Sequence, residues 1–205
     1  MGIHVVTSSS NNIIENNTIQ NNLEDGVWLD ESGNNVVRNN QIDNNAYSGI
    51  YVDSSSLNTV SRNRVLNNDE SGIYVAGGGN NDILENYDVI GNSLNGISLE
   101  DSNGNNVTGN TVTSNPSNGI DLDNSDTNTI ECNLVENNDD IGISLVGGST
   151  GNTIKGNTVR SSVLQGINCV GSGGNSIYLN NFINNNPNAQ SDSSNTWISG
   201  SRTYV

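Results

Sequence analysis

A chain of 205 residues carrying a net charge of -16, with only 6 Lys and Arg against 22 Asp and Glu, is unsuited to binding nucleic acid or an anionic membrane. Apolar residues make up 31% and aromatics 4%, a composition that would suit disorder unless an internal repeat overrides it. No apolar run is long enough to span a membrane as a helix. Two cysteines do not make a disulfide scaffold.

A repeat is present from the first residues onward. Gly2, Gly26, Gly49, Gly72, Gly96, Gly119, Gly142 and Gly166 each open a short Gly–aliphatic string, at spacings of 24, 23, 23, 24, 23, 23 and 24. Slack never accumulates, as a stacked solenoid requires. Each coil then offers three apolar groups in order. In the coil opened by Gly119 these are Ile120 and Leu122, then Ile130, then Val135. The same columns run through all eight coils, mostly β-branched and spaced for strands rather than helices. The predicted fold is therefore all-β: a right-handed parallel β-helix of about eight coils of 23–24 residues, three short strands per coil. At a coil spacing of about 4.8 Å the rod is about 38 Å long.

Asparagine recurs at three corners, as in Asn35, Asn40 and Asn45 of the second coil, with Ser162 the one replacement. Asn tolerates the left-handed conformation of a sharp corner and can hydrogen-bond between coils, so these residues read as structural. Coils are expected over 1–186, and 187–205 as a partial terminal coil or cap in which Trp197 closes the core. No signal peptide is read before Ile3, and the uncapped ends lead to the expectation of a piece of a longer protein or of end-to-end self-association.

Several stretches, Asn58-Thr59-Val60-Ser61-Arg62-Asn63-Arg64-Val65-Leu66-Asn67-Asn68, Gly119-Ile120-Asp121-Leu122-Asp123-Asn124-Ser125 and Asn180-Asn181-Phe182-Ile183-Asn184-Asn185, resemble NosD-like right-handed β-helix repeats. They are similar also to those of mannuronan epimerases, of other carbohydrate-binding and sugar-hydrolysing β-helix proteins, and of surface arrays of methanogenic archaea. The resemblance covers residues 2 to about 186 and implies an extracellular, cell-surface or periplasmic protein that meets polysaccharide. Its motifs specify fold rather than activity.

The outward positions of the Gly-Ile-x-Leu strand carry the candidate sites. Trp28, Tyr51 and Tyr74 form a stack beside Asp30 and Asp53, a ligand-binding candidate whose ring faces would meet sugar C–H groups. An enzyme of the lyase or epimerase type would instead use the carboxylates Asp121, Asp123 and Glu100. The single histidine, His4, is five coils from Asp121, and the Asp-Pro-His-Glu string of mannuronan epimerases is absent. Basic residues are expected to be engaged one coil away: Arg38 with Glu15, Arg62 with Glu85, Arg64 with Asp88, Lys155 with Glu131 and Arg160 with Glu136, leaving Arg202 in the tail. The balance points to a non-catalytic domain, structural or carbohydrate-binding.

No metal ligand set is read. The resemblance to NosD-like proteins implies copper delivery, but His4, Met1, Cys132 and Cys169 are scattered; Cys169 falls in a core column. Carboxylate oxygens also suit calcium, and Asp121, Asp123 and Glu100 are where it would go, although no EF-hand or repeat-in-toxin motif is present.

Overall fold

The computed structural model describes residues 1–198. Among these described residues, 26 strands and no helix wind into a right-handed solenoid. One strand from each coil joins each of three parallel sheets of nine, nine and eight strands. The first sheet runs from Ile3–Val5 to Ala189–Ser191, the second from Ile13–Glu15 to Thr196–Ile198, and the third from Thr18–Gln20 to Asn181–Ile183. A ninth, shorter turn thus extends the eight read from the sequence; its strands Ala189–Ser191 and Thr196–Ile198 carry no buried residue. Trp197 pairs with Ile177 in register but stays 43% exposed, so it lengthens the column without being covered.

The strands are three or four residues long because a corner follows every few residues. Alternation then sends one or two side chains per strand inward. Like stacks on like: Ile73 on Ile50 and Ile97, Val135 on Val112 and Val159. The aliphatic core from Val27 to Cys169 is fully buried, whereas Val5, Ile14 and Ile19 of the first coil keep 9, 7 and 6% exposure. A coil is sealed only by a neighbour on each side.

The corners divide their work between adjacent residues, which differs from the expectation that ladder asparagines themselves take the left-handed conformation. Positive φ falls on the residue before: Asn39 at 55°, Arg62 at 53°, Glu85 at 51°, Cys132 at 55° and Leu179 at 58°. That residue points to solvent, so its identity is loosely constrained. The asparagine that follows turns inward and bonds in both directions. Asn40 donates from Nδ2 to Ile14 O (2.9 Å) on one side and to Asn63 Oδ1 (3.1 Å) on the other, and its backbone N–H reaches the same Oδ1 at 3.0 Å. The pattern repeats coil after coil, leaving the buried amides satisfied.

A serine ladder at the corner between the first and second sheets escaped the sequence reading. The backbone N–H groups of Ser32, Ser102 and Ser125 donate to the hydroxyls of Ser55, Ser125 and Ser149 at 2.7, 3.0 and 3.0 Å. Ser162, which interrupts the third asparagine column, leaves its own hydroxyl buried without a partner. The repeating glycine is demanded by space: a Cβ on Gly119 would lie 2.4 Å from Val135 Cγ1 and 2.7 Å from Gly142 O.

Asn110 is a typical rung. It donates to Ile83 O (2.8 Å) and Asn133 Oδ1 (3.0 Å), and accepts from the backbone and side-chain nitrogens of Asn86 at 3.0 and 2.9 Å. Asn110→Ala strands those partners and is expected to lower unfolding free energy by about 2–4 kcal/mol. Urea unfolding measures this; a loss below about 0.5 kcal/mol would show the ladder contributes little.

Candidate functional site

The outward column of the first sheet holds an unbroken ladder of four rings. His4 and Trp28 stack with centroids 4.3 Å apart and planes within 6°; Trp28 and Tyr51 follow at 5.9 Å and 17°, Tyr51 and Tyr74 at 5.0 Å and 9°. The register places His4 opposite Trp28, Trp28 opposite Tyr51 and Tyr51 opposite Tyr74. The coil period places His4 in the same outward column, one coil before Trp28, and its ring extends the three-ring stack to four. One expectation is corrected. Rings stacked at the strand spacing cover each other's faces, so Trp28 offers solvent a ring edge, and Tyr51 its edge and hydroxyl, rather than flat platforms. Tyr74 has no ring beyond it, because Ser98 follows in the column.

Each exposed tip has a carboxylate. His4 Nε2 lies 3.4 Å from Asp30 Oδ2, and the Tyr74 hydroxyl donates to Glu100 Oε2. Burial pushes the Tyr51 phenol up to about 12, helped by the negative charges of Asp53 and Asp25 and a hydrogen bond to Asp53. Tyr74 is raised in the same way, by burial and then by Glu100. Both phenols therefore remain donors across the physiological range. The indole N–H of Trp28 is buried without a partner.

The carboxylates proposed for catalysis are arranged differently. Asp121 lies between Ser98 and Ser144 in the outward column, and Asn118 Nδ2 donates to its Oδ1 at 2.9 Å. Burial raises its pKa, opposed by hydrogen bonds from Ser144 and Asn118 and reinforced by the charges of Asp123 and Glu100. Glu100 is opposite Asp123 in register but is engaged with Tyr74, belonging as much to the ring ladder as to this group. Among the described residues the outward face of the first sheet carries no arginine or lysine, and the N-terminal ammonium beside it is paired with Glu24 at 3.6 Å. The five expected ion pairs are all formed, and every one lies on the second sheet, the third sheet or the corner between them. Arg202 lies outside the described residues.

Two family models match the sequence: one described as right handed beta helix region over residues 1–88, and one described as periplasmic copper-binding protein (NosD) over 92–205. No curated protein matches significantly. Among solved structures, the A-module of the Azotobacter vinelandii mannuronan C-5 epimerase AlgE6 is 17% identical with a TM-score of 0.78, over 94% of this chain and 59% of that one. The periplasmic alginate epimerase AlgG is 21% identical with a TM-score of 0.66, over 85% and 47%. The Dettilon tailspike protein is 19% identical with a TM-score of 0.59, over 92% and 39%. The chain spans about half the length of the epimerases it matches, and likeness at this identity concerns the fold.

Copper, named in the second family description, does not fit the donors present. The sequence has one His, one Met and two Cys. Cys169 is fully buried in the core, where desolvation pushes its thiol up to about 12. Cys132 sits exposed at a corner between the second and third sheets, and His4 is stacked on the first. Among the described residues no three His, Cys, Asp or Glu converge on a point that would hold a metal ion.

Beside the rings, Asp25 occupies a further column of side-chain acceptors. It is 7% exposed and its Oδ1 accepts from Ser48 N at 2.9 Å, as Asn95 and Asn118 accept from Asn118 N and Ile141 N in later coils. Burial, with the charges of Glu70 and Glu24, raises its pKa from 3.8 to about 6. The folded state therefore holds this proton more tightly than the unfolded chain. Stability contributed by the protonated form is present below pH 4, declines as pH rises to 6, and is gone above. Asp25→Asn keeps the acceptor and removes the charge. It is expected to stabilise the fold at pH 7 by about 1–3 kcal/mol and to flatten the stability profile between pH 4 and 6. Urea unfolding across that range checks it; an unchanged slope would contradict it.

Proposed function

Since the chain belongs to the family described as periplasmic copper-binding protein (NosD), we propose that it is a non-catalytic, extracytoplasmic β-helix rod that contacts polysaccharide through the ring-bearing face of its first sheet. The observation carrying this reading is the ladder His4–Trp28–Tyr51–Tyr74 with carboxylates at its tips. Supporting it, solved proteins of the same fold include epimerases named for alginate and mannuronan, and the family description names the periplasm. In this arrangement the carboxylates of Asp30, Asp53 and Glu100 accept charge-assisted hydrogen bonds from sugar hydroxyls, while ring edges supply apolar contact. The ladder is rigid, because each ring is held by its neighbours, so little side-chain freedom is lost on binding.

A non-catalytic role is favoured over a lyase or epimerase role because, among the described residues, Asp121 has no cation or histidine near it to share proton transfer or to neutralise a substrate carboxylate. A glycan array and titration calorimetry test both readings together. The protein is expected to bind at least one polysaccharide class, and Trp28→Ala with Tyr51→Ala is expected to weaken binding by tenfold or more, about 1.4 kcal/mol. Retained affinity in a folded double variant would remove the ring ladder from the site. Unsaturated or epimerised products from uronate polymers, lost in Asp121→Asn, would replace binding with catalysis.

A further inference from the structure

The distribution of charge around the rod narrows the ligand class; the inference rests on the ring-bearing face being the sugar-contact surface. Ring tips and carboxylates alternate there as pairs: His4 with Asp30, Tyr51 with Asp53 and Tyr74 with Glu100. Arginine and lysine are segregated elsewhere among the described residues. Arg38 and Lys155 are on the second sheet, Arg64 and Arg160 on the third, Arg62 at the corner between them, each bound to its own acid. Charge on the first sheet is thus left uncompensated, whereas on the other two faces it is largely cancelled. The end of the ladder adds a feature that charge alone would not supply. Beyond Tyr74 the column drops to Ser98, so the outer face of that ring is not covered by another ring, and Glu100, held by the Tyr74 hydroxyl, stands beside it. An aromatic face next to a carboxylate suits an organic ammonium group, attracted by ring quadrupole and anion together.

We infer that the first-sheet face selects amino sugars bearing free, protonated amino groups, and discriminates against uronates. A polyuronate carries a carboxylate on every residue and would meet like charge from Asp30 to Asp123, with no arginine or lysine among the described residues of that face to bridge it. A neutral sugar would find hydrogen-bond acceptors but gain nothing from the field. Burial is the main cause of the raised pKa values of Asp25 and Asp121, and neighbouring carboxylates add to it.

Calorimetry at about 0.15 M salt, where long-range attraction between exposed charges is largely screened, would compare the intact protein with three hexamers: glucosamine at a pH that keeps it protonated, N-acetylglucosamine, and galacturonate. The glucosamine hexamer is expected to bind at least about tenfold more tightly than its acetylated counterpart, and the galacturonate hexamer weakest. Asp53→Asn with Glu100→Gln is expected to abolish that preference. Asp82→Asn paired with Asp126→Asn removes the same charge away from this face and is expected to preserve it. A preference lost equally in both double variants would reduce the effect to net charge and overturn the inference, as would tightest binding of galacturonate. Tightest binding of the acetylated hexamer would overturn it while leaving the polysaccharide reading standing. Binding of no hexamer and of no glycan on the array would remove both.

Discussion

The hydrogen bond from one asparagine side chain to the next is the interaction on which the rest of this protein depends. A coil of 23 or 24 residues has too few apolar groups to make a core of its own, and it closes three corners whose backbone groups would be buried unsatisfied. The carboxamide meets both needs, since it donates to a carbonyl of one neighbouring coil and to the carboxamide of the other, while its oxygen receives a backbone N–H. A ladder of this kind tolerates no drift in pitch. Where the coil lengthens from 23 to 24 residues, as between Asn63 and Asn86 and then Asn110, the bonds remain 3.0 and 3.1 Å, then 3.0 and 2.9 Å; the extra residue is absorbed in the outward-facing part of a turn.

Constant pitch has consequences on the outside of the rod. Any side chain repeated in one outward column is brought against its equivalents, so sequence period becomes surface chemistry. Rings at 4, 28, 51 and 74 become a ladder; acids and bases one coil apart become the five ion pairs of the second and third sheets. Each exposed pair contributes only about 0–1 kcal/mol. Their larger effect is to hold the described arginines and lysine on two faces, leaving the first without either. The same stacking that builds the ring ladder also hides the ring faces, and this makes an edge-and-tip contact the geometry available to a sugar.

The core and the ion pairs were legible in the sequence because both follow from period alone: knowing that Lys155 is one coil beyond Glu131 is enough to place them together. The candidate face was legible for the same reason. What period does not reveal is conformation within a corner. Asn39 and Asn40 look alike as letters, yet one takes the left-handed backbone and the other the ladder. Leu57, Arg62 and Glu85 at positive φ carry none of the usual residue preference, because their neighbours over-determine the turn. Ser32, Ser55 and Asp25 carry no such signal, because short polar residues near a corner read as solvated loop, yet the fold buries all three. The covering of the ring faces followed from a spacing already known, but was visible only once the ring planes were seen to be parallel.

Side-chain amide hydrogen exchange, followed by NMR, tests the ladder most directly. Within one corner the account predicts opposite behaviour from adjacent asparagines: the carboxamide protons of Asn40, buried and bonded in both directions, exchange as slowly as the backbone amides of the core strands, while those of the outward Asn39 exchange orders of magnitude faster. Fast exchange at Asn40 and its equivalents Asn63, Asn86 and Asn110, with the backbone still protected, would mean that the coils are held by sheet and core alone and would contradict the account.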